Sequence, residues 1–430
     1  MPCATIALLA LLLSLLNASQ TFCATADELT QWDMTYGGSG RQGAMSVVQT
    51  GDGGYAFAGS TTSFGAGSAD VWLVKTDGSG NMQWNKTYGG SGDDGASSVV
   101  QTGDGGYALA GGTNSFGAGG NDCWLIKVDS AGSMQWNKTY GGTGIDGSSS
   151  MIQTADGGYA LAGDTTSFGA GGYDFWLVKT DANGNALWNK TYGGTQDDSA
   201  CSVVQTNDGG YALAGKMIPF GPGPDDFWLV KTDSAGNQQW NKTYGGTQDE
   251  VAFCMIQMAD GGYAIAGETT TQTSLYDGLL LRTDASGNQL WNRTYGGTGQ
   301  EQIEHLVQTR DGGLALAGGG TWLGGDRSYD VWLFKTDANG NQLWNRSYGG
   351  EYFDEAYDVI QTSDGGYALA CQSLSFGAGI SNFWLIKTDE YGVVPEFSTM
   401  IVPMALLVTV TVAAILLGKK IQVKPRALLG

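Results

Sequence analysis

Residues 98–142 read SVVQTGDGGYALAGGTNSFGAGGNDCWLIKVDSAGSMQWNKTYGG, and four strands parse out of this one stretch. Ser98 to Thr102 is alternating and β-branched. Gly103-Asp104-Gly105-Gly106 is a tight turn whose glycines supply positive φ. Tyr107 to Thr113 is a second strand. The loop Phe116 to Gly120 leads to a third strand at Asp122–Asp129. Ser130-Ala131-Gly132-Ser133 then turns into a fourth at Met134–Tyr140, and Gly141-Gly142 breaks the pattern.

The same text recurs along the chain. The D-G-G-[YL] turn begins at Asp52, Asp104, Asp156, Asp208, Asp260, Asp311 and Asp364, at intervals of 51 to 53 residues. A tryptophan column runs through Trp32, Trp84, Trp136, Trp188, Trp240, Trp291 and Trp344, and a second through Trp72, Trp124, Trp176, Trp228, Leu279, Trp332 and Trp384. Four antiparallel strands per repeat of about 50 residues, seven times, predict an all-β, seven-bladed β-propeller. A solenoid is the rival, and 52 residues is long for one coil.

The order of elements predicts how the ring closes. Leu29 to Tyr36 matches a fourth strand with no preceding three, and the last unit stops after three. The N-terminal strand therefore completes the last blade. The Ser-Val-Val-Gln-Thr strands then line the central channel, and the Trp-Asn-Lys-Thr-Tyr strands are outermost.

Composition agrees. Of 430 residues 71 are glycine, which disfavours long helices, and 14 Trp, 19 Tyr and 14 Phe can fill a large core. Ala4 to Leu16 is apolar and Ala24-Thr25-Ala26 fits a cleavage site, so 1–26 reads as a signal peptide. Met400 to Leu417 carries no charge and is followed by Lys419, Lys420, Lys424 and Arg426. That predicts one membrane helix at 400–418, a basic cytoplasmic tail at 419–430, and an ectodomain at 27–394 on the extracellular face. The ectodomain holds 17 basic and 41 acidic residues, once four basic residues and one acid beyond position 394 are set aside. A net charge near −24 argues against a nucleic-acid partner.

Val394-Pro395-Glu396-Phe397-Ser398, then an apolar helix, then a basic end, resembles the C-terminal sorting signal of archaeal surface proteins. The resemblance, placed at 395–399, implies anchoring through the helix or a lipid that replaces it. The repeat consensus, carried by Asp156-Gly157-Gly158-Tyr159 and Trp176-Leu177-Val178-Lys179-Thr180-Asp181, resembles the secreted repeat β-propeller proteins of archaea and bacteria. That group implies fold and location more than activity. Asp181-x-x-Gly184-x-x-x-Trp188 is also similar to the docking repeat of quinoprotein propellers, which usually have eight blades. No quinone-binding constellation accompanies it. The sialidase Asp-box is near as well, with an Asp–Gly spacing of two where this sequence has three.

Candidate site residues fall into three sets. An acid stands four residues after each Gly-Gly at Asp94, Asp146, Asp198, Glu250, Glu301 and Asp354, with Gln42 the exception. These six could form a ring for a cation such as Ca²⁺, the one cofactor considered, or each could cap its own crossing loop. Asp181, Asn183 and Asn185 have a calcium-loop spacing, but Ala186 stands where glycine is needed, and a hairpin turn explains them. Sequons recur at Asn85, Asn137, Asn189, Asn241, Asn292 and Asn345, which are glycosylation candidates or copies of one useful strand. Binding candidates lie where repeats diverge: Lys216 with its proline-rich loop, and Trp322 with Arg327. Glu304 and His305 are odd for a channel strand.

Cys123, Cys201, Cys254 and Cys371 show no C-x-x-C and no zinc pattern, and only Cys201 with Cys254 is spaced for a disulfide. His305 is the sole histidine. This argues against a His-based triad or a multi-histidine metal site, so no catalytic residue is assigned. The reading is a surface-anchored, non-enzymatic binding or adhesion module with a glycan or protein ligand. The alternatives are an extracellular quinone- or metal-dependent enzyme and a structural envelope component.

Overall fold

The computed structural model describes residues 31–218, 225–271, 275–321 and 328–394. The signal-peptide, sorting-motif and membrane-helix assignments lie outside them. Among the described residues no helix is long and apolar enough to cross a membrane.

Seven four-stranded antiparallel sheets make up the described chain. Six are built from consecutive strands, at 42–88, 94–140, 150–192, 198–244, 250–295 and 301–348. The seventh joins the three strands at 354–388 to Trp32–Tyr36 from the other end of the chain. Trp32 pairs with Lys387 and Tyr36 with Phe383 in that closing ladder. The first strand of every blade lies against the first strands of both neighbours, including blade 7 against blade 1. The seven sheets therefore form a closed ring around a channel, with the first strands inside. This is the propeller read from the repeats; the second and fourth strands have the expected limits, the third ends at Val128, and the first runs Asp94–Gln101, starting four residues before Ser98.

The repeated residues serve the scaffold within blades and between them. Within a blade, the Asp of each D-G-G turn receives the buried cation of the third strand, as in Lys179–Asp156 at 2.9 Å, and the same pair occurs in all seven blades. Hydrogen bonds from Thr102 and Lys127 hold the Asp104 carboxyl down at about 2. Between blades, the tyrosine ending each fourth strand donates to the carbonyl of a turn glycine in the next blade. Tyr88 reaches Gly132 at 2.7 Å, Tyr192 reaches Gly236 at 2.7 Å, and Tyr36 reaches Gly80 at 2.6 Å across the closure. The tryptophan four residues earlier stands edge-on to the D-G-G-Tyr ring of the next blade, with centroids 5.7 to 6.2 Å apart in six junctions. In the remaining junction Leu314 replaces that tyrosine, and Trp291 packs in a cluster with it.

The receiving glycine has two duties. Gly184 has φ +74°, and a Cβ there would collide with the Trp136 ring of the preceding blade. Gly209, in a D-G-G turn, has φ +82° with nothing within 4 Å. Gly209→Ala should cost the backbone term alone, about 1–2 kcal/mol. Gly184→Ala should cost roughly 1–3 kcal/mol more, through overpacking at the blade junction. Urea midpoints at unchanged m-value measure both; equal losses would refute the junction role.

Candidate functional site

A β-bulge determines what the channel displays. In six blades the register between first and second strands shifts by one residue, for example between Ile303 and His305 and between Ala356 and Asp358. A bulge re-aims a side chain that regular alternation would send to the other face. Here the bulged residue and its successor both line the channel: Phe253 with Cys254, Glu304 with His305, Tyr357 with Asp358. They enclose a cavity of about 330 Å³. On blades 1 to 3 the same positions are mostly serine, so the chemistry is concentrated on the other side.

At the end of the channel where second strands finish, blades 4 to 7 bring their divergent residues together. Tyr329 Oη lies 2.8 Å from Gln302 Oε1 and 3.2 Å from Glu355 Oε1, and Gln302 Nε2 donates to Glu304 Oε1 at 3.1 Å. The Tyr329 ring stacks on Phe353 with centroids 4.7 Å apart. Burial, with Glu355 and Glu268 nearby, pushes the Glu304 carboxyl up to about 8. Burial and Glu355 raise Glu268 to about 7 against the opposing charge of Lys216. Lys216 Nζ lies 3.4 Å from Asp225. Of the binding candidates, Lys216 thus stands at this mouth, while Trp322 and Arg327 lie outside the described residues.

Deeper in the channel, His305 Nδ1 lies 3.0 Å from Asp358 Oδ1. The Val359 N–H donates to the same nitrogen at 3.5 Å, and Asp358 Oδ1 has no hydrogen-bond partner, so the His305–Asp358 contact is an ion pair. Asp358 Oδ2 accepts from Val47 N–H of blade 1 at 2.8 Å. Cys254 lines the same cavity as His305 and Asp358. Burial alone would lower the His305 pKa, but Asp358 and Cys254 outweigh it, and the imidazole is held well above its ordinary value. The three residues come from adjacent blades, at one position of their first strands.

The acidic column sits elsewhere, at the blade junctions. The N–H of Gly90 donates to Asp94 at 2.8 Å, Gly142 to Asp146 at 2.7 Å, Gly194 to Asp198 at 2.9 Å, Gly246 to Glu250 at 3.0 Å, Gly297 to Glu301 at 3.0 Å and Gly350 to Asp354 at 2.9 Å. Thr113, Thr165 and Thr269 donate to the second oxygens of Asp94, Asp146 and Glu250. Each acid thus caps the loop that enters its own strand. Sequence reading overlooked the partner across the junction. A Cβ at Gly141 would meet both Asp122 and Asp146, and Gly89, Gly193, Gly245 and Gly296 stand likewise between two carboxyls. Burial raises Asp122, Asp198, Asp226 and Glu301, and the facing acid adds to it. At the closure the two residues around Gly37 are Asn382 and Gln42, both amides.

The sequon asparagines lie on fourth strands, exposed except for the half-buried Asn345. Asn85 and Asn137 accept from the indoles of Trp72 and Trp124, each at 3.2 Å, and Asn189 from Trp176 at 3.4 Å. Asp33 takes this place in the closing strand, accepting from Trp384 at 3.0 Å. All four cysteines of the described residues are free thiols, so Cys201 and Cys254 form no disulfide.

No protein-family model matches the chain. It is similar to the regulatory protein FlaEY of Caulobacter vibrioides, 25% identical over 60% of this chain and 33% of the relative. The chain therefore spans about a third of the length of that curated protein. Among solved structures it is similar to Sqt1 from Chaetomium thermophilum, with a TM-score of 0.47, 10% identity, and 83% of this chain and 100% of that one covered. A protein of unknown function from Dyadobacter fermentans gives 0.46 and 13%, covering 83% and 97%. The propeller assignment rests on strand order and ring closure.

The mouth makes stability depend on pH in a defined direction. Glu304 and Glu268 have folded pKa values above the unfolded value of 4.5, so between about pH 4.5 and 8 the folded state binds more protons. Stability is greatest below that window and falls as pH rises through it. His305, also raised, acts in the same direction. The melting temperature should therefore be higher at pH 5.5 than at pH 8, and the double variant Glu268→Gln/Glu304→Gln should flatten the slope. A slope unchanged in that variant would show that the mouth glutamates are not its source.

Proposed function

We propose that this chain is a non-enzymatic, cell-surface-anchored binding module, and that its ligand, a glycan or a protein, enters the channel mouth on blades 4 to 7. One observation carries the reading. Residues that depart from the repeat gather at one mouth, Lys216, Glu268, Gln302, Glu304, Tyr329 and Glu355 among them. Residues shared by the repeats are occupied in holding the ring. A rigid frame that presents a few convergent polar and aromatic groups in a concavity is the usual form of a ligand site. A regulatory role of the kind named for the Caulobacter protein would use the same surface. Export and anchoring are supported by the two ends of the sequence.

The test is thermal unfolding of the full chain in mild detergent against a polysaccharide panel, with Ca²⁺ or EDTA, and with a quinone plus Ca²⁺. A ligand at one hundred times its Kd adds about 2.7 kcal/mol. A glycan-dependent shift that disappears in Lys216→Ala or Glu304→Gln is the expected result. A shift only with quinone and metal would favour the enzyme alternative. A glycan shift untouched by these substitutions would move the site away from the mouth.

A further inference from the structure

We propose that the junction between blades 5 and 6 binds a phenol, seated beside Trp291 where the other six junctions carry a tyrosine ring of their own. The site lies on the face of the D-G-G turns, at the other end of the blades from the mouth. It does not depend on what the mouth receives.

Three departures from the repeat meet at this seam. Leu314 stands where the other six D-G-G turns carry tyrosine. Trp291 therefore lacks the edge-on ring that the other six tryptophans have at 5.7 to 6.2 Å. Met258 replaces the threonine whose hydroxyl donates to the D-G-G aspartate in the other six blades. Arg282 replaces the lysine that pairs with that aspartate. A cavity of about 320 Å³ opens here, with Trp291, Leu290, Met258, Asp260, Arg282 and Gln308 in its wall. That is within the size range of small-molecule sites. Benzene needs only about 150 Å³.

The wall has an apolar side and an ionic side. Trp291 offers a ring partner, and Met258 a soft sulfur that packs well against an aromatic edge. Opposite them, Asp260 accepts the Gly262 N–H at 3.0 Å and the Arg282 guanidinium. Without a threonine it keeps acceptor capacity to spare, since a carboxylate has about four lone-pair sites. Its side chain is 65% exposed and so within reach of a ligand. Burial opposes ionisation, but the Gly262 N–H and Arg282 hold the carboxyl below its usual range. Arg282 also donates to the carbonyls of Tyr263 and Thr283, so it fixes Asp260 and stays fixed itself. A phenol supplies the two things this seam lacks, a ring for Trp291 and a hydroxyl donor for Asp260. An intact junction has the same ingredients in one chain. Tyr211 stands edge-on to Trp188, and burial, then the Asp156 charge of the preceding blade, raise its hydroxyl to about 12.

The probe is p-cresol, added to the full chain in mild detergent and read by melting temperature and isothermal titration. The comparison is Leu314→Tyr in the same detergent, which returns the repeat's own ring to the seam. Saturating p-cresol should raise the melting temperature of the parent. Leu314→Tyr should melt higher than the parent without p-cresol and show no shift with it. The methyl ether of p-cresol has the same ring and no hydroxyl hydrogen. It should bind the parent at least about tenfold more weakly, the loss of one hydrogen bond to a charged acceptor. Should Leu314→Tyr fail to fold, Met258→Thr serves instead: it returns the internal donor to Asp260 and should narrow the gap between the two probes. N-acetyltyrosinamide separates the sources of the ring. A matching shift assigns the tyrosine side chain of a partner, and no shift assigns a free phenol; both support the site. No p-cresol shift in the parent would overturn the proposal. So would equal binding by the parent and a folded Leu314→Tyr protein, or equal binding of p-cresol and its methyl ether by the parent.

Discussion

A tyrosine hydroxyl reaching a glycine carbonyl in the next sheet is the contact on which this ring depends. Each four-stranded blade has two apolar faces and can bury neither by itself. The tyrosine of the outermost strand and the tryptophan before it lie across the following blade, so every blade is both lid and floor. The receiving glycine has to be in the left-handed region to turn between strands, and has to lack a side chain to let the indole approach. That double demand explains why the glycine of this turn recurs in all seven repeats while its neighbours vary. Seven such contacts close on themselves only because Tyr36, at the opposite end of the chain from the strands it pairs with, supplies the last one.

The architecture was legible because it is written seven times. The D-G-G-Tyr turn, the Trp-Asn-Lys-Thr-Tyr strand and the orphan strand at Trp32 each imply their place once the period is recognised. The candidate site was less legible, for three physical reasons. A bulge has no residue signature of its own here, so nothing in the text of Glu304-His305 says that both side chains face the channel. Contacts between blades join residues about 50 apart, which hides His305 from Asp358. Glu268 and Glu355 look like ordinary exposed acids of a strand end, and only the ring brings them to one mouth. The signal available was the oddity of Glu304 and His305 among serines, which pointed to the right strand without naming its partners.

Two kinds of carboxylate coexist in the molecule. The D-G-G aspartates are half in solvent, paired with a buried cation and, in six blades of seven, hydrogen-bonded by a threonine, and their charge is favoured. The junction acids, nearly all buried, face one another and take backbone N–H groups rather than cations, and Asp198, Asp226, Asp277 and Glu301 each keep one oxygen without a hydrogen-bond partner. The first kind ties a turn to its own sheet; the second marks the seam between sheets. An overall acidic charge therefore says little about binding, because much of it is invested in the frame. The mouth glutamates form a third population, outside both repeated roles.

The seam at Gly37 has a consequence for how the chain tells its blades apart. Near-identical modules invite miscounting, since any first strand could settle beside any third. Five junctions, from blade 1 to blade 6, set acid against acid, whereas the blade 7 to blade 1 junction sets Asn382 against Gln42. A ring closed one blade early would bring Gln42 against Asp330 and leave Asn382 without its match. The amide pair acts as an address, readable at a single position, that tells a chain of copies where it has come full circle.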